Sequence, residues 1–265
     1  MNKRLLKILC FCAATMMLCS CGQKTNEIWY TSTDGEIVNV QPGMAQRVVS
    51  NTYQNGKGII TLSEPLTVVD DIAFTEAATL KSISLPKGVK IVGNQAFYRC
   101  FALESVVLPE GLNEIWTSAF CHCDALRDIN IPSSVKRLGQ EAFGVCPSLK
   151  NAVVPQGVTV LEKAVFSGSG IESIELPDGI TSIEAFAFVK CPDLKAIKLP
   201  DSLETIDYAA FGECGSLTEI EIPQNCKSIA DMAFYACWSL KTARVPEGCE
   251  IGSNAFPEGC EIVRY

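Results

Sequence analysis

The chain has a single histidine, His122, in 265 residues. Nucleophilic triads need a general base beside the nucleophile, usually histidine. No Gly-x-Ser-x-Gly elbow accompanies His122, and no phosphate-cradling glycine loop occurs. Acids are plentiful, 30 Asp and Glu against 22 Lys and Arg, yet no two stand out by spacing as a glycosidase pair. Basic excess is missing too. The net charge is −8, and the first twenty residues hold Lys3, Arg4 and Lys7 and no acid, so the rest is more acidic still. That excludes nucleic acid, which needs a basic stripe, and leaves no polybasic patch for anionic lipid heads. Beyond the apolar run Ile8–Leu18, itself too short to cross a bilayer, nothing could span one. With 48% hydrophobic and 20% charged residues, the chain reads as a folded body rather than a disordered one.

What the sequence does have is a short phrase that keeps returning. It runs apolar-x-apolar-Pro, then a small residue and Phe, then usually Cys three residues later. The prolines are Pro86, Pro109, Pro132, Pro155, Pro177, Pro200, Pro223 and Pro246, in steps of 23 except the 22 between Pro155 and Pro177. The phenylalanines Phe74, Phe97, Phe120, Phe143, Phe166, Phe188, Phe211, Phe234 and Phe256 keep the same rhythm. A period in this range signals a repeat architecture. One copy cannot bury its own apolar residues, but stacked copies can, which predicts a mainly β solenoid of about nine turns of 22–23 residues with short parallel strands. At about 4.8 Å per turn the rod is roughly 40 Å long.

The stretch before the repeats divides into three. Residues 1–20 have a positive start and an apolar run ending at Leu18-Cys19-Ser20-Cys21. A small residue before a cysteine at that point resembles the bacterial lipobox. The resemblance implies cleavage between Ser20 and Cys21 and a diacylated Cys21 thiol, hence an exported chain anchored to membrane through lipid. Cys19 departs from the usual small or hydroxyl residue at the middle position. Residues 21–27 read as a polar tether and 28–58 as a β cap, with hairpins expected at Asp34-Gly35 and Asn55-Gly56. Residues 59–265 are the repeats.

Aligning the turns sorts the other residues. Cys100, Cys123, Cys146, Cys191, Cys214 and Cys237 share a slot that elsewhere holds Ala77 and Ser169. A slot that takes Ala, Ser or Cys wants a small buried side chain, so these read as core thiols and not as a disulfide framework. Cys226 and Cys249 share a second slot, where a bridge is the chief exception to consider. Cys121-His122-Cys123 looks metal-like, but Cys123 belongs to the inward ladder and no second Cys/His pair follows at finger spacing. We therefore expect no metal, no cofactor and no catalytic residue. Outward strand positions hold Ser84, Val107, Asn130, Val153, Glu175, Lys198, Glu221 and Arg244; the first four are uncharged and the last four alternate in sign. Trp116 fills a slot otherwise small or charged, and Tyr98 and Phe101 flank Cys100, as Tyr235 and Trp238 flank Cys237. Val107, Asn130, Val153, Trp116, Tyr98 and Phe101 are accordingly the candidate partner contacts.

The composite phrase Ile-x-Leu-Pro-x-Gly-Val…Ile/Val-Gly-x-x-Ala-Phe-x-x-Cys-x-x-Leu resembles the BspA-like leucine-rich repeats of bacterial cell-surface proteins, over roughly residues 59–265. The asparagine ladder of other leucine-rich repeats is missing, which fits this branch. The resemblance implies a non-enzymatic, adhesin-like protein whose repeat surface binds a protein or glycan, in host extracellular matrix or on another cell. An alternative is a periplasmic or outer-membrane scaffold of an envelope complex. Lipid anchoring to the outer membrane with surface display is the favoured location, although Gly22–Asn26 lacks the acids that often follow the lipid cysteine of surface lipoproteins.

Overall fold

A computed structural model of the chain describes residues 22–265. The targeting segment, including Ser20 and Cys21, lies outside the described residues. The repeats form a β-solenoid of about nine turns of about 23 residues. Each turn has three sides. The first carries, in every turn but the one around Lys198, a face strand such as Leu80–Ser84, Ser105–Val107 or Asn151–Val153. Alternate residues point inward there: Val106 and Leu108, or Ala152 and Val154, are buried. A buried proline follows, and its carbonyl accepts the N–H three residues on, as Pro132 does from Val135 (3.0 Å), turning the chain. The second side is a two-residue strand such as Arg137–Leu138. The third is a tight segment around the repeating Phe.

That third side explains the phrase. Residues two before and two after the Phe adopt positive φ, as Gln95 (54°) and Arg99 (58°) do around Phe97. This curls the backbone so that alternate N–H groups point along the rod: Ile72, Phe74 and Glu76 donate to the carbonyls of Asn94, Ala96 and Tyr98 one turn on, at 2.7–2.8 Å. The rings stack in one continuous column from Phe74 to Phe256, with centroids 5.0–5.7 Å apart and planes within 11°. A buried alanine, Ala96 or Ala142 for example, precedes every ring except Phe166, which follows Val165, and leaves it room.

The cap consists of β1 (Glu27–Ser32), α1 (Pro42–Ala45), β2 (Val48–Gln54) and β3 (Lys57–Leu62). β2 and β3 form the hairpin expected at Asn55-Gly56, both with positive φ, and β3 carries the cap through Leu62. The hairpin expected at Asp34-Gly35 does not form. Both edges of β1 are occupied, by β3 and by Leu80–Ser84, so residues 36–40 have no edge to pair with. They form a loop instead, with the Glu36 N–H bonded to Asp34 Oδ1 at 3.0 Å. The cap thus extends the face sheet to eight strands, ending at β2. It also replaces the missing previous turn. Ala73 O and Thr75 O, which in later turns would accept from the turn before, accept from Gln41 N–H (2.9 Å) and Gln41 Nε2 (3.0 Å).

Candidate partner-binding face

The face strands place Val107, Asn130 and Val153 side by side in consecutive turns. Val107 is half-buried, Asn130 exposed, and Val153 53% exposed, high for a valine in a strand. Between the last two lies an open hollow of about 320 Å³, lined by Glu110, Asn130, Pro132, Ser133, Val153, Pro155 and Gln156 among others. The sheet is loosened here, as it is again around Lys198, where no strand forms and the face sheet is interrupted. Leu85 N–H and Val154 N–H reach the next strand at Val107 O (3.0 Å) and Glu175 O (3.1 Å). The equivalent bonds from Leu108 and Ile131 are not made, and Lys150 N–H reaches Arg127 O only at 3.4 Å. Backbone polar groups around Asn130 are therefore available beside the exposed Val153 side chain, a combination suited to an incoming polypeptide or sugar.

Ser84 does not belong to this face. It is fully buried, because β1 pairs alongside it and Gln23 covers it: Ser84 Oγ donates to Gln23 Oε1 (3.0 Å) and Gln23 Nε2 to Ser84 O (2.9 Å). The charged half also differs from a true ladder. Glu175, Lys198, Glu221 and Arg244 are all exposed, yet none of the ion pairs among the described residues joins two of them. Exposed flexible side chains gain little by pairing, and Arg244 lies over the Tyr265 ring instead, at 5.1 Å.

The aromatic candidates sit on other sides of the rod. Trp116 is half-buried just beyond the strand Glu114–Ile115 and donates to Glu114 Oε2 at 2.8 Å. Tyr98 lies edge-on to His122 (5.8 Å) and beneath Arg99 (5.3 Å). Phe101 is 46% exposed. The structure therefore does not unite these three with the face residues. It does reveal a strip that the cysteine-centred alignment passed over. Phe186 meets Tyr208 edge-on at 5.3 Å, and Tyr208, 40% exposed, donates to Met232 Sδ at 3.1 Å. The signal was present: Phe186 stands two residues before its repeat Phe and Tyr208 three before, in slots that most other turns fill with small or polar residues.

The ten described cysteines are free. Ladder thiols turn inward and donate to the Phe carbonyl of the preceding turn, as Cys123 does to Phe97 O (3.3 Å) and Cys146 to Phe120 O (3.2 Å). Cys226 and Cys249 are unbridged, each Sγ directed to a carbonyl, of Ser228 and Glu250, at 3.6 Å. In Cys121-His122-Cys123 the inward Cys123 and the His122 ring against Tyr98 do not converge. Burial pushes the Cys100 thiol up to about 12 and Cys191 to about 11, and raises Cys123 and Cys146 as well. Alkylation of the folded chain at mild pH should thus label Cys260, which is only half-buried, and spare the ladder; denaturation should expose all ten. Rapid native labelling of Cys123 or Cys146 would contradict this burial. The same shifts set a pH dependence. Below about 9 both states keep the thiol protons; between about 9 and 12 only the folded state does, so stability falls as pH rises through that window.

Stacked strand–turn units with parallel face strands and an apolar spine define a leucine-rich-repeat solenoid, a class that offers an extended binding surface. The chain belongs to the BspA type leucine rich repeat region family, whose profile matches residues 50–172 and 162–265 in six copies. It is similar to a leucine-rich repeat protein from Bacteroides ovatus (26% identity, TM-score 0.61), over 88% of this chain and 64% of that one, so it spans just under two thirds of that relative. The T. pallidum leucine-rich repeat protein is 32% identical with a TM-score of 0.54, over 58% of this chain and 73% of its own. A leucine-rich repeat protein from Eubacterium ventriosum (18% identity, TM-score 0.51, covering 70% and 60%) shares the fold. No curated protein matches at a significant level.

Proposed function

We propose that this chain is a non-enzymatic, lipid-anchored envelope protein that binds a protein or glycan partner, adhesin-like, through the uncharged N-terminal part of its strand face. The observation that carries this reading is the hollow between Asn130 and Val153, where an exposed valine and unpaired backbone lie together. Family membership supports a binding scaffold, and the Met1–Cys21 pattern supports export with lipid on Cys21.

The partner is sought by capture from native envelope and from host matrix. Against whatever binds, Val107→Glu and Val153→Glu should weaken binding about ten-fold or more by placing a charge in a desolvated contact. Glu221→Lys, on the charged half, should leave it intact. If all three variants behave alike, the face assignment fails. Protease treatment of intact cells separates surface display, in which the chain is cleaved, from a periplasmic scaffold, in which it survives; the lack of acids in Gly22–Asn26, a segment that packs on the cap through Gln23 and Asn26, counts for the second.

A further inference from the structure

We propose that a second copy of this chain docks on the free edge of β2, forming a two-fold dimer with one sheet continuous across both caps. β2 ends the eight-stranded sheet, and no described residue pairs with its outer edge. At seven residues it is the longest strand in the cap. Its sequence, Val48-Val49-Ser50-Asn51-Thr52-Tyr53-Gln54, holds no charge and no proline, two of the usual protections of an exposed edge, and from Ser50 to Gln54 its register is unbroken. The strand Glu261–Arg264, at the other end of the rod, carries charges at both its ends.

The hydrogen-bonding pattern fits a self-complementary partner. β2 and β3 are closed by the two-residue Asn55-Gly56 turn, so Gln54, Thr52 and Ser50 bond to β3. Asn51 and Tyr53 consequently present their N–H and C=O groups to the open edge. Antiparallel pairing about a two-fold axis through Thr52 sets Asn51 of one copy opposite Tyr53 of the other, and the reverse, giving two bonded pairs that each exchange both N–H···O bonds. The two Thr52 side chains, exposed in the single chain, then face each other, a favourable cross-strand pair.

Side chains complete the fit. A bulge between Val48 and Ser50 leaves Val49 68% exposed. In the same register Val49 lies opposite Asn55 of the second copy. Asn55 lines a hollow of about 390 Å³ with Thr52, Gln54, Lys57 and Ile59. Each copy thus delivers an exposed valine beside the other's unfilled hollow. The pairing needs no opposite charge, which suits two copies of a chain whose net charge is −8.

The test is sedimentation velocity of the full chain, carrying Cys21→Ser so that no lipid drives association, over a micromolar concentration series. A concentration-dependent dimer is expected. Thr52→Lys sets two ammonium groups face to face and should raise the dimer Kd about 100-fold, while a melting curve that matches the parent's at concentrations too low for the dimer shows that the exposed substitution spares the fold. Val49→Ala should raise Kd about ten-fold. Val263→Lys, on the far edge strand, should have no effect. A Cys21→Ser chain that stays monomeric throughout overturns the proposal. So does a Thr52→Lys chain that dimerises like wild type, or a dimer lost through Val263→Lys instead.

Discussion

Phe143→Ala should lower the unfolding free energy by about 3–5 kcal/mol, and it should do so by cutting the rod in two. The ring is fully buried and stacks on Phe120 at 5.5 Å and on Phe166 at 5.7 Å. Removing it leaves a cavity that the neighbours cannot collapse into, because Ala142 and Phe143 are held by backbone bonds to the turns on either side: Phe143 N–H to Val165 O and Phe120 N–H to Ala142 O, both 2.9 Å. In a solenoid, stability is close to a sum of terms within each turn and between nearest neighbours. A central ring takes part in two such interfaces, an end ring in one. Phe256, half-buried and stacked only on Phe234 at 5.1 Å, should therefore cost about 1 kcal/mol when cut to Ala. The central variant should also broaden or split the urea transition followed by circular dichroism, since the two segments lose their coupling. Equal losses at Phe143 and Phe256 would show that the ring column does not transmit stability along the rod.

Much of this was legible because the period acts as an alignment of the chain with itself. The invariant Phe and the small residue before it mark the spine, and the Ala/Ser/Cys slot marks a buried side chain of limited size. Both readings need only local spacing. Ser84 shows where that stops. Its phrase is like the others, but β1 and Gln23 cover it from more than fifty residues away, and no repeat slot carries that information. The Asp34-Gly35 turn failed for a related reason: turn chemistry was present, but the competition for the edges of β1 is settled by the whole sheet. The loosened strand at Asn130 is subtler still. Ile129-Asn130-Ile131-Pro132 has the same apolar pattern as its neighbours, and its missing bonds depend on small displacements between turns that no single phrase encodes. Val107 and Val153, by contrast, were picked out by their lack of charge, and the structure sets them on the same side as the hollow.

Gly58→Ala should cost about 3 kcal/mol, nearly all of it in the cap. Gly58 lies opposite Tyr30 in the β1–β3 pair, and a Cβ added there would stand 2.1 Å from Tyr30 Cζ. The ring cannot swing aside. It is fully buried, packs on Tyr53 at 5.8 Å, and is pinned at its tip, where the hydroxyl donates to Asn51 Oδ1 (2.7 Å) and accepts from Val38 N–H (3.2 Å). Relieving the clash must therefore part β1 from β3 or pull the Val38 loop away. Either movement loosens Gln41, which covers Ala73 O and Thr75 O, so the first turn should fray next. Amide exchange should quicken at Thr33 and Gln41 while Phe143 keeps its protection. A double-mutant cycle isolates the cause. Tyr30→Ala alone should cost about 3–5 kcal/mol, and adding Gly58→Ala to it should cost little more, because the atoms in conflict are gone. If Gly58→Ala costs as much without the Tyr30 ring as with it, steric conflict is not what the glycine avoids.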